Sequence, residues 1–159
     1  MLRPISKLER TLEGANVLVT GAGGFIGSHL VERLLACGCK VNALVRYSST
    51  NNRGWLSGLE NPNLAFLHGD IRDQGFVSKA VEGNDYVFHL AALIAIPYSY
   101  VAPQSYVDVN MSGTLNVLES ARRLNVRRVL HTSTSEIYGT AQFTPMPETH
   151  PINPQSPYA

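Results

Sequence analysis

Val17-Leu-Val-Thr20 runs directly into Gly21-Ala-Gly-Gly24-Phe25-Ile26-Gly27, and apolar residues then recur at Ile26, Leu30, Leu34 and Leu35. The first four residues form a short, solid apolar run, the pattern of a buried strand. The later residues have helical spacing over Phe25 to Cys37, with Gly38 placed to close the helix. The turn between them fits G-x-x-G-x-x-G on Gly21, Gly24 and Gly27, whereas G-x-G-x-x-G fails because position 26 is Ile. Glycine lets a backbone turn tightly and approach a pyrophosphate. The helix start at Phe25 and Ile26 offers free N–H groups and a positive dipole end. A glycine turn of this kind, opening a strand–helix series, points to nucleotide binding.

The same alternation continues. Val41 to Val45, Leu64 to Leu67, Tyr86 to Leu90 and Arg128 to His131 read as further strands, all short apolar runs. Asp73 can cap a helix ending near Val81. Val107, Met111, Leu115, Leu118, Ala121 and Leu124 mark an amphipathic helix over Ser105 to Leu124. Arg46 to Asn63 reads as a loop with a short helix near Trp55, and the tail from Thr140 is proline-rich. Strands alternating with helices imply an α/β fold: a doubly wound parallel sheet of about five strands, with helices on both faces. Residues 1–14 read as a polar lead-in and 15–159 as one nucleotide-binding domain.

Composition narrows the function. The 159 residues carry thirteen Lys+Arg against twelve Asp+Glu, without the basic excess of a nucleic-acid binder. No apolar run reaches the roughly 18 residues of a membrane span, and the first ten residues lack the apolar stretch of a signal peptide. Cys37 and Cys39 are too close to staple a fold and have no second pair to complete a zinc site. The five histidines show no ligand spacing, so no metal is expected. With two cysteines read as reduced thiols, the default expectation is the cytoplasm.

In such a sheet, ligands bind beyond the C-terminal strand ends. Those ends are Thr20 to Gly27, Val45 to Ser48, Gly69 to Ile71, Leu90-Ala91-Ala92, and Thr132 to Glu136. Arg46, with Ser48 close by, stands where an acid would bind the ribose of NAD. A guanidinium there suits the 2′-phosphate of NADP, so NADP is preferred over NAD. Asp70 can bond the adenine amino group while Ile71 covers the ring; the competing reading makes Asp70 a turn cap. Tyr98 and Tyr100 either contact a sugar or simply pack.

The glycine spacing, Gly69-Asp-Ile-Arg-Asp73, His89-Leu-Ala-Ala92, Asn110 with Gly113-Thr-Leu-Asn-Val117, and Ser133-Thr-Ser-Glu-Ile-Tyr-Gly139 together resemble the extended short-chain dehydrogenase/reductases. Within these, the resemblance is to the nucleotide-sugar epimerase/dehydratase group, whose fold is Rossmann-like. The stretches Ala92 to Val101 and His131 to Gln142 look most like UDP-N-acetylglucosamine 4,6-dehydratases of bacterial legionaminic-type acid synthesis, a source of cell-surface polysaccharide. The resemblance implies oxidation at carbon 4, elimination of water across carbons 5 and 6, and return of hydride to carbon 6. Thr134 is then the Ser/Thr that holds the reacting oxygen, and Glu136 the base for the carbon-5 proton. Ser135 stands where dTDP-glucose dehydratases carry an acid, and it has no proton to give at neutral pH. Tyr158 aligns with the catalytic tyrosine of Tyr-x-x-x-Lys.

The chain stops one residue after Tyr158. A free tyrosine has a pKa of about 10, so without the lysine the resemblance implies little or no turnover. It also implies missing C-terminal strands and a missing sugar-binding region, which leave Arg128 to His131 as an open edge. The full-length relatives are expected to be homodimers, paired through the helix matching Ser105 to Leu124. Two other readings stand beside the dehydratase: a UDP-glucuronate decarboxylase or nucleotide-sugar epimerase, and a dinucleotide-binding module without catalysis.

Overall fold

The computed structural model describes Ser6 and residues 10–159; most of the expected lead-in lies outside the described residues. Five strands form one sheet: β1 Asn16–Thr20, β2 Lys40–Arg46, β3 Leu64–Gly69, β4 Tyr86–His89 and β5 Arg128–His131. All neighbours pair in parallel, in the order β3-β2-β1-β4-β5. The order reverses between β1 and β4, so the ligand crevice of such a sheet opens at the C-terminal ends of these two strands.

Helices cover both faces because alternate strand residues point opposite ways. Val17 and Val19 of β1 join Val41, Ala43 and Val45 of β2 in one core, closed by Val31 and Leu34 of α1 (Phe25–Ala36). Leu18, Leu44 and Val87 face the other way. They pack under Val77 and Val81 of α2 (Gln74–Val81) and under Val117 and Ala121 of a long helical rod. Every one of these residues is at most 5% exposed, which accounts for strands that read as solid apolar runs. Burial of this kind is worth about 25 cal/mol per Å² of apolar surface.

Local signals act as expected at several points. The Asp73 carboxylate accepts the Phe76 N–H at 3.0 Å and caps α2. Gly38, at φ +82°, follows α1 and turns the chain into β2. A 3-10 turn sits at Gly54–Leu56, around Trp55.

Other parts differ from the sequence reading. A short helix α3, Ile96–Val101, follows β4, and Pro97 near its start needs no N–H partner there. The rod after it begins at Pro103, two residues earlier than the periodicity implied, again because proline suits a first turn. It runs as α4 (Pro103–Tyr106), a π-helical stretch (Val107–Ser112) and α5 (Gly113–Arg123). The described end of the lead-in is not merely polar. Leu12 packs on the first core, and its carbonyl accepts the Cys39 Sγ–H at 3.2 Å. Burial, and secondarily Cys37, raises the Cys39 thiol to about 11, so it is an inert, protonated packing group.

Candidate cofactor and active site

The glycine turn is shaped by two close approaches. Gly21 has φ +68°, and a Cβ there would meet the Ala91 nitrogen at 2.8 Å, so this position brings the turn onto the end of β4. A Cβ on Gly27 would run into the Gly21 carbonyl, so only glycine lets α1 start this close to β1. Gly24 is the N-cap of α1 without a side-chain cap, and the first-turn N–H groups of a helix have no partners within it. Gly24, Phe25 and Ile26 are all exposed. The Gly24 N–H is held by the Gly21 carbonyl at 3.1 Å, so the cradle of free N–H groups begins at Phe25, at a positive helix end, the chemistry a dinucleotide pyrophosphate needs. Trp55 N–H donates to the Gly23 carbonyl at 3.0 Å, so the 3-10 turn buttresses the cradle from the β2 side.

Arg46 ends β2 exposed. Ser48 accepts the Asn52 N–H at 3.1 Å and is half-buried beside it. At the end of β3, Asp70 takes the Arg72 backbone N–H at 2.9 Å and both arms of its guanidinium at 3.0 and 2.7 Å. Asp70 is therefore a turn cap and an ion-pair partner at once. The hydrogen bond from Arg72 holds its carboxyl below the usual range. Ile71 is 5% exposed, set against Gly113, where a Cβ would collide with its Cδ1 at 2.6 Å. Leu90 and Ala91 leave β4 half-buried and Ala92 is exposed. Thr132 leaves β5 exposed, its N–H donating to the His89 carbonyl at 3.1 Å.

Beyond β5 the chain forms a 3-10 turn, Ser135–Tyr138. Thr134 caps it, its Oγ1 accepting the Glu136 N–H at 3.2 Å. That bond uses a lone pair and leaves the hydroxyl proton available to donate. Ser135 and Glu136 are exposed. Glu136 lines an open cleft of about 360 Å³ with Tyr100, Gln155 and Ala159. The irregular tail forms the far wall because it is pinned: Tyr100 Oη donates to the Gln155 carbonyl at 2.8 Å, and Asn153 N–H to the Ile137 carbonyl at 2.9 Å. Buried His150 accepts the Gln142 N–H at 3.1 Å and packs on Phe143 and Tyr138.

The sequence-predicted catalytic residues are brought together only in part. Thr134, Ser135 and Glu136 share one turn. Tyr158 lies half-buried in irregular backbone, its ring edge-on to Tyr106 at 6.2 Å. Among the described residues no hydrogen bond joins it to Thr134 or Glu136. Tyr98 packs on the same Tyr106, whose hydroxyl donates to the Ala95 carbonyl at 2.5 Å.

The sequence reading assigned no role to Asn110, Thr20 or Thr114. Asn110 clasps the backbone of Leu93, donating to its carbonyl at 2.9 Å and accepting its N–H at 2.8 Å. Thr20 and Thr114 flank buried His89. The signal was present: Asn110 and Thr114 share the i, i+4, i+7, i+11 stripe with buried Val117 and Ala121, and a polar group on such a stripe has a specific partner.

A parallel sheet with its crevice at the β1–β4 reversal, an anion cradle at α1 and a carboxylate-lined cleft beyond β5 define a dinucleotide-binding α/β protein. The sequence profile of the GDP-mannose 4,6-dehydratase family matches residues 18–159, and the chain belongs to that family of nucleotide-sugar dehydratases and epimerases. It is 42% identical over 144 residues to a UDP-glucose 4-epimerase of Mycolicibacterium smegmatis, a match covering 89% of this chain and 46% of that protein. Among solved structures, the epimerase Mth375 of Methanothermobacter thermautotrophicus superposes with a TM-score of 0.86 at 35% identity, over 97% of this chain and 46% of that one. A dTDP-glucose 4,6-dehydratase of Streptomyces venezuelae with NAD bound gives 0.82 at 37% identity, over 90% and 47%. The chain thus spans about half the length of the relatives it matches. Among the described residues no helix is long and apolar enough to cross a membrane, and no group of three or more His, Cys, Asp or Glu side chains is placed to hold a metal ion.

Proposed function

We propose that residues 15–159 are the cofactor-binding part of a cytoplasmic NAD(P)-dependent nucleotide-sugar 4,6-dehydratase acting on a UDP-N-acetylglucosamine-like sugar. The observation that carries this reading is Glu136, an exposed carboxylate two residues from Thr134 on the wall of the cleft. An epimerase needs no group to remove the carbon-5 proton; a dehydratase does, and a carboxylate facing the sugar suits that task.

The glycine cradle would take a dinucleotide, because Gly21 and Gly27, where a Cβ would strike the backbone of Ala91 and of Gly21, hold the turn tightly beneath an exposed helix start. Gly24, Phe25 and Ile26 would hold the pyrophosphate. Arg46 and Ser48 would meet a 2′-phosphate, favouring NADP, and Asp70 and Ile71 would seat the adenine. Leu90, Ala91, Ala92 and Thr132 would line the nicotinamide end. When bound there, the nicotinamide supplies a reversible hydride acceptor. Thr134 donates its free hydroxyl proton to the sugar oxygen while Glu136 takes the carbon-5 proton. Ser135 cannot protonate a leaving hydroxyl, so Glu136 returns its proton to it. Tyr158 removes the 4-hydroxyl proton once its own pKa is lowered by a neighbouring cation.

A 4-epimerase is the second reading, favoured by the likeness to UDP-glucose 4-epimerases; a UDP-glucuronate decarboxylase and a non-catalytic cofactor module remain its rivals. Mass spectrometry separates them, using UDP-N-acetylglucosamine, NADP or NAD, and a chain extended past Ala159 to the length of the relatives. Loss of one water supports the dehydratase. A 4-epimer of unchanged mass supports the epimerase, and carbon dioxide from UDP-glucuronate the decarboxylase. Cofactor binding with none of these supports the module. In the active dehydratase, Glu136→Gln is expected to abolish elimination.

A further inference from the structure

His89 is 1% exposed, and its surroundings determine where its proton sits. The Thr20 hydroxyl oxygen accepts the Leu90 and Ala91 N–H groups, both at 3.1 Å. With both lone pairs used, Thr20 donates its own hydrogen to His89 Nδ1 at 2.7 Å. On the other side, Thr114 Oγ1 lies 2.6 Å from the Asn110 carbonyl, which can only accept. The Thr114 hydrogen goes there, and Thr114 Oγ1 accepts from His89 Nε2 at 3.0 Å. The two ends of the chain independently demand the same neutral tautomer.

We infer that His89 is a positioning residue: as a neutral imidazole with its proton on Nε2, it fixes the Thr20 hydroxyl and through it the Leu90 and Ala91 N–H groups. The same residue takes the Thr132 N–H on its carbonyl at 3.1 Å, so one residue ties together the ends of β1, β4 and β5. An imidazolium would point a hydrogen at a Thr20 oxygen that has no lone pair left, releasing Leu90 or Ala91. The titratable group facing His89 is His131 of β5, stacked on it at 5.3 Å. Among the described residues, β1 presents Thr20 and α5 presents Thr114, whose hydroxyl is held by the Asn110 carbonyl of the π-helical stretch. Burial first, and the charge of His131 second, lower His89 to about 4, in keeping with the neutral form.

That the Leu90 and Ala91 N–H groups matter to a cofactor rests on the proposed dinucleotide site at the β1–β4 crevice; the tautomer does not. Nitrogen-15 NMR of the ligand-free protein between pH 5 and 8 is expected to show an unprotonated Nδ1 and a protonated Nε2 throughout. An Nδ1–H tautomer, or an imidazolium above pH 5, overturns the inference. Amide exchange at Leu90 and Ala91 should accelerate about tenfold or more in His89→Leu, the scale of one lost buried hydrogen bond. His89→Asn, which keeps an acceptor near the Nδ1 position, should restore most of the protection. Unchanged exchange in both variants also overturns it. If His89→Leu does not fold, Thr20→Val takes its place: it removes the Ala91 acceptor and leaves the Leu90 N–H only the Thr20 carbonyl at 3.3 Å, so the acceleration is expected at Ala91. Titration with NADP and NAD reports separately. If neither binds the wild-type chain, the cofactor reading fails while the NMR and exchange results still decide the role of His89.

Discussion

Gly27 and Arg46 show two ways in which a single residue shapes the candidate site. At Gly27 the constraint is volume: a methyl group would collide with the Gly21 carbonyl, a backbone atom that cannot swing aside. Gly27→Ala is therefore expected to destabilise the fold by about 2 kcal/mol, in the range of core overpacking, and to weaken dinucleotide binding, measured by thermal melting and titration calorimetry. At Arg46 the constraint is charge. Exposed at the end of β2, its guanidinium can meet a 2′-phosphate but offers a ribose hydroxyl no carboxylate. Arg46→Ala should weaken NADP binding about tenfold, the scale of a charge-assisted hydrogen bond, and leave NAD affinity within a factor of about two. Equal losses for both cofactors would show that Arg46 does not discriminate.

At the scale of elements, the site depends on how loops are fastened to the rod. Asn110 holds both backbone groups of Leu93, and Asn116 Nδ2 holds the Ile71 and Arg72 carbonyls at 3.0 and 3.1 Å. The rod thus ties down the loops after β4 and β3. Asn110→Leu leaves a part-buried N–H and C=O unpaired. A loss of about 2 kcal/mol in urea unfolding is expected, with faster amide exchange at Leu93. Asp73→Ala removes only the α2 cap and should cost about 1 kcal/mol without disturbing that loop. The rod also exposes Val107, Met111, Leu115 and Leu118 along one side. We propose this stripe as a surface that pairs with a second copy of the chain. Light scattering on a chain extended to the relatives' length should give a dimer mass, reduced to a monomer by Leu115→Glu.

Across the whole molecule, burial of a neutral histidine couples stability to pH. His89 has a folded-state value of about 4 against 6.5 in the unfolded chain. Between these values the unfolded state holds the extra proton, so stability rises with pH across this window and is level above it. The difference amounts to about 3 kcal/mol. Asp70, held low by Arg72, adds a loss only below its unfolded value of 3.8, so the two effects separate on the pH axis. Urea midpoints at pH 4.5 and 7 should differ in the wild type, and the difference should shrink in His89→Asn. Equal midpoints in the wild type would show that His89 does not titrate on unfolding.

The strands, the glycine turn, α1, the Asp73 cap and the doubly covered sheet were legible in the sequence because each depends on a local pattern. Buried runs, helical spacing and turn residues act within a few positions of one another. The motif residues at the strand ends were legible for the same reason, since the fold class alone says where strand ends meet. The tertiary structure decided what connects distant positions. Thr20, His89 and Thr114 form one hydrogen-bonded chain although they stand far apart in sequence, and only packing of α5 over β4 brings them together. The Arg72 clamp on Asp70 and the start of the rod at Pro103 are local, yet rotamer choice and first-turn geometry settled them, neither of which residue type alone specifies. The docking of Leu12 and the tail folded around His150 required the completed core. Covalent order sets periodicity and turn chemistry, whereas the direction of a buried proton is set by groups that become neighbours only in the folded chain.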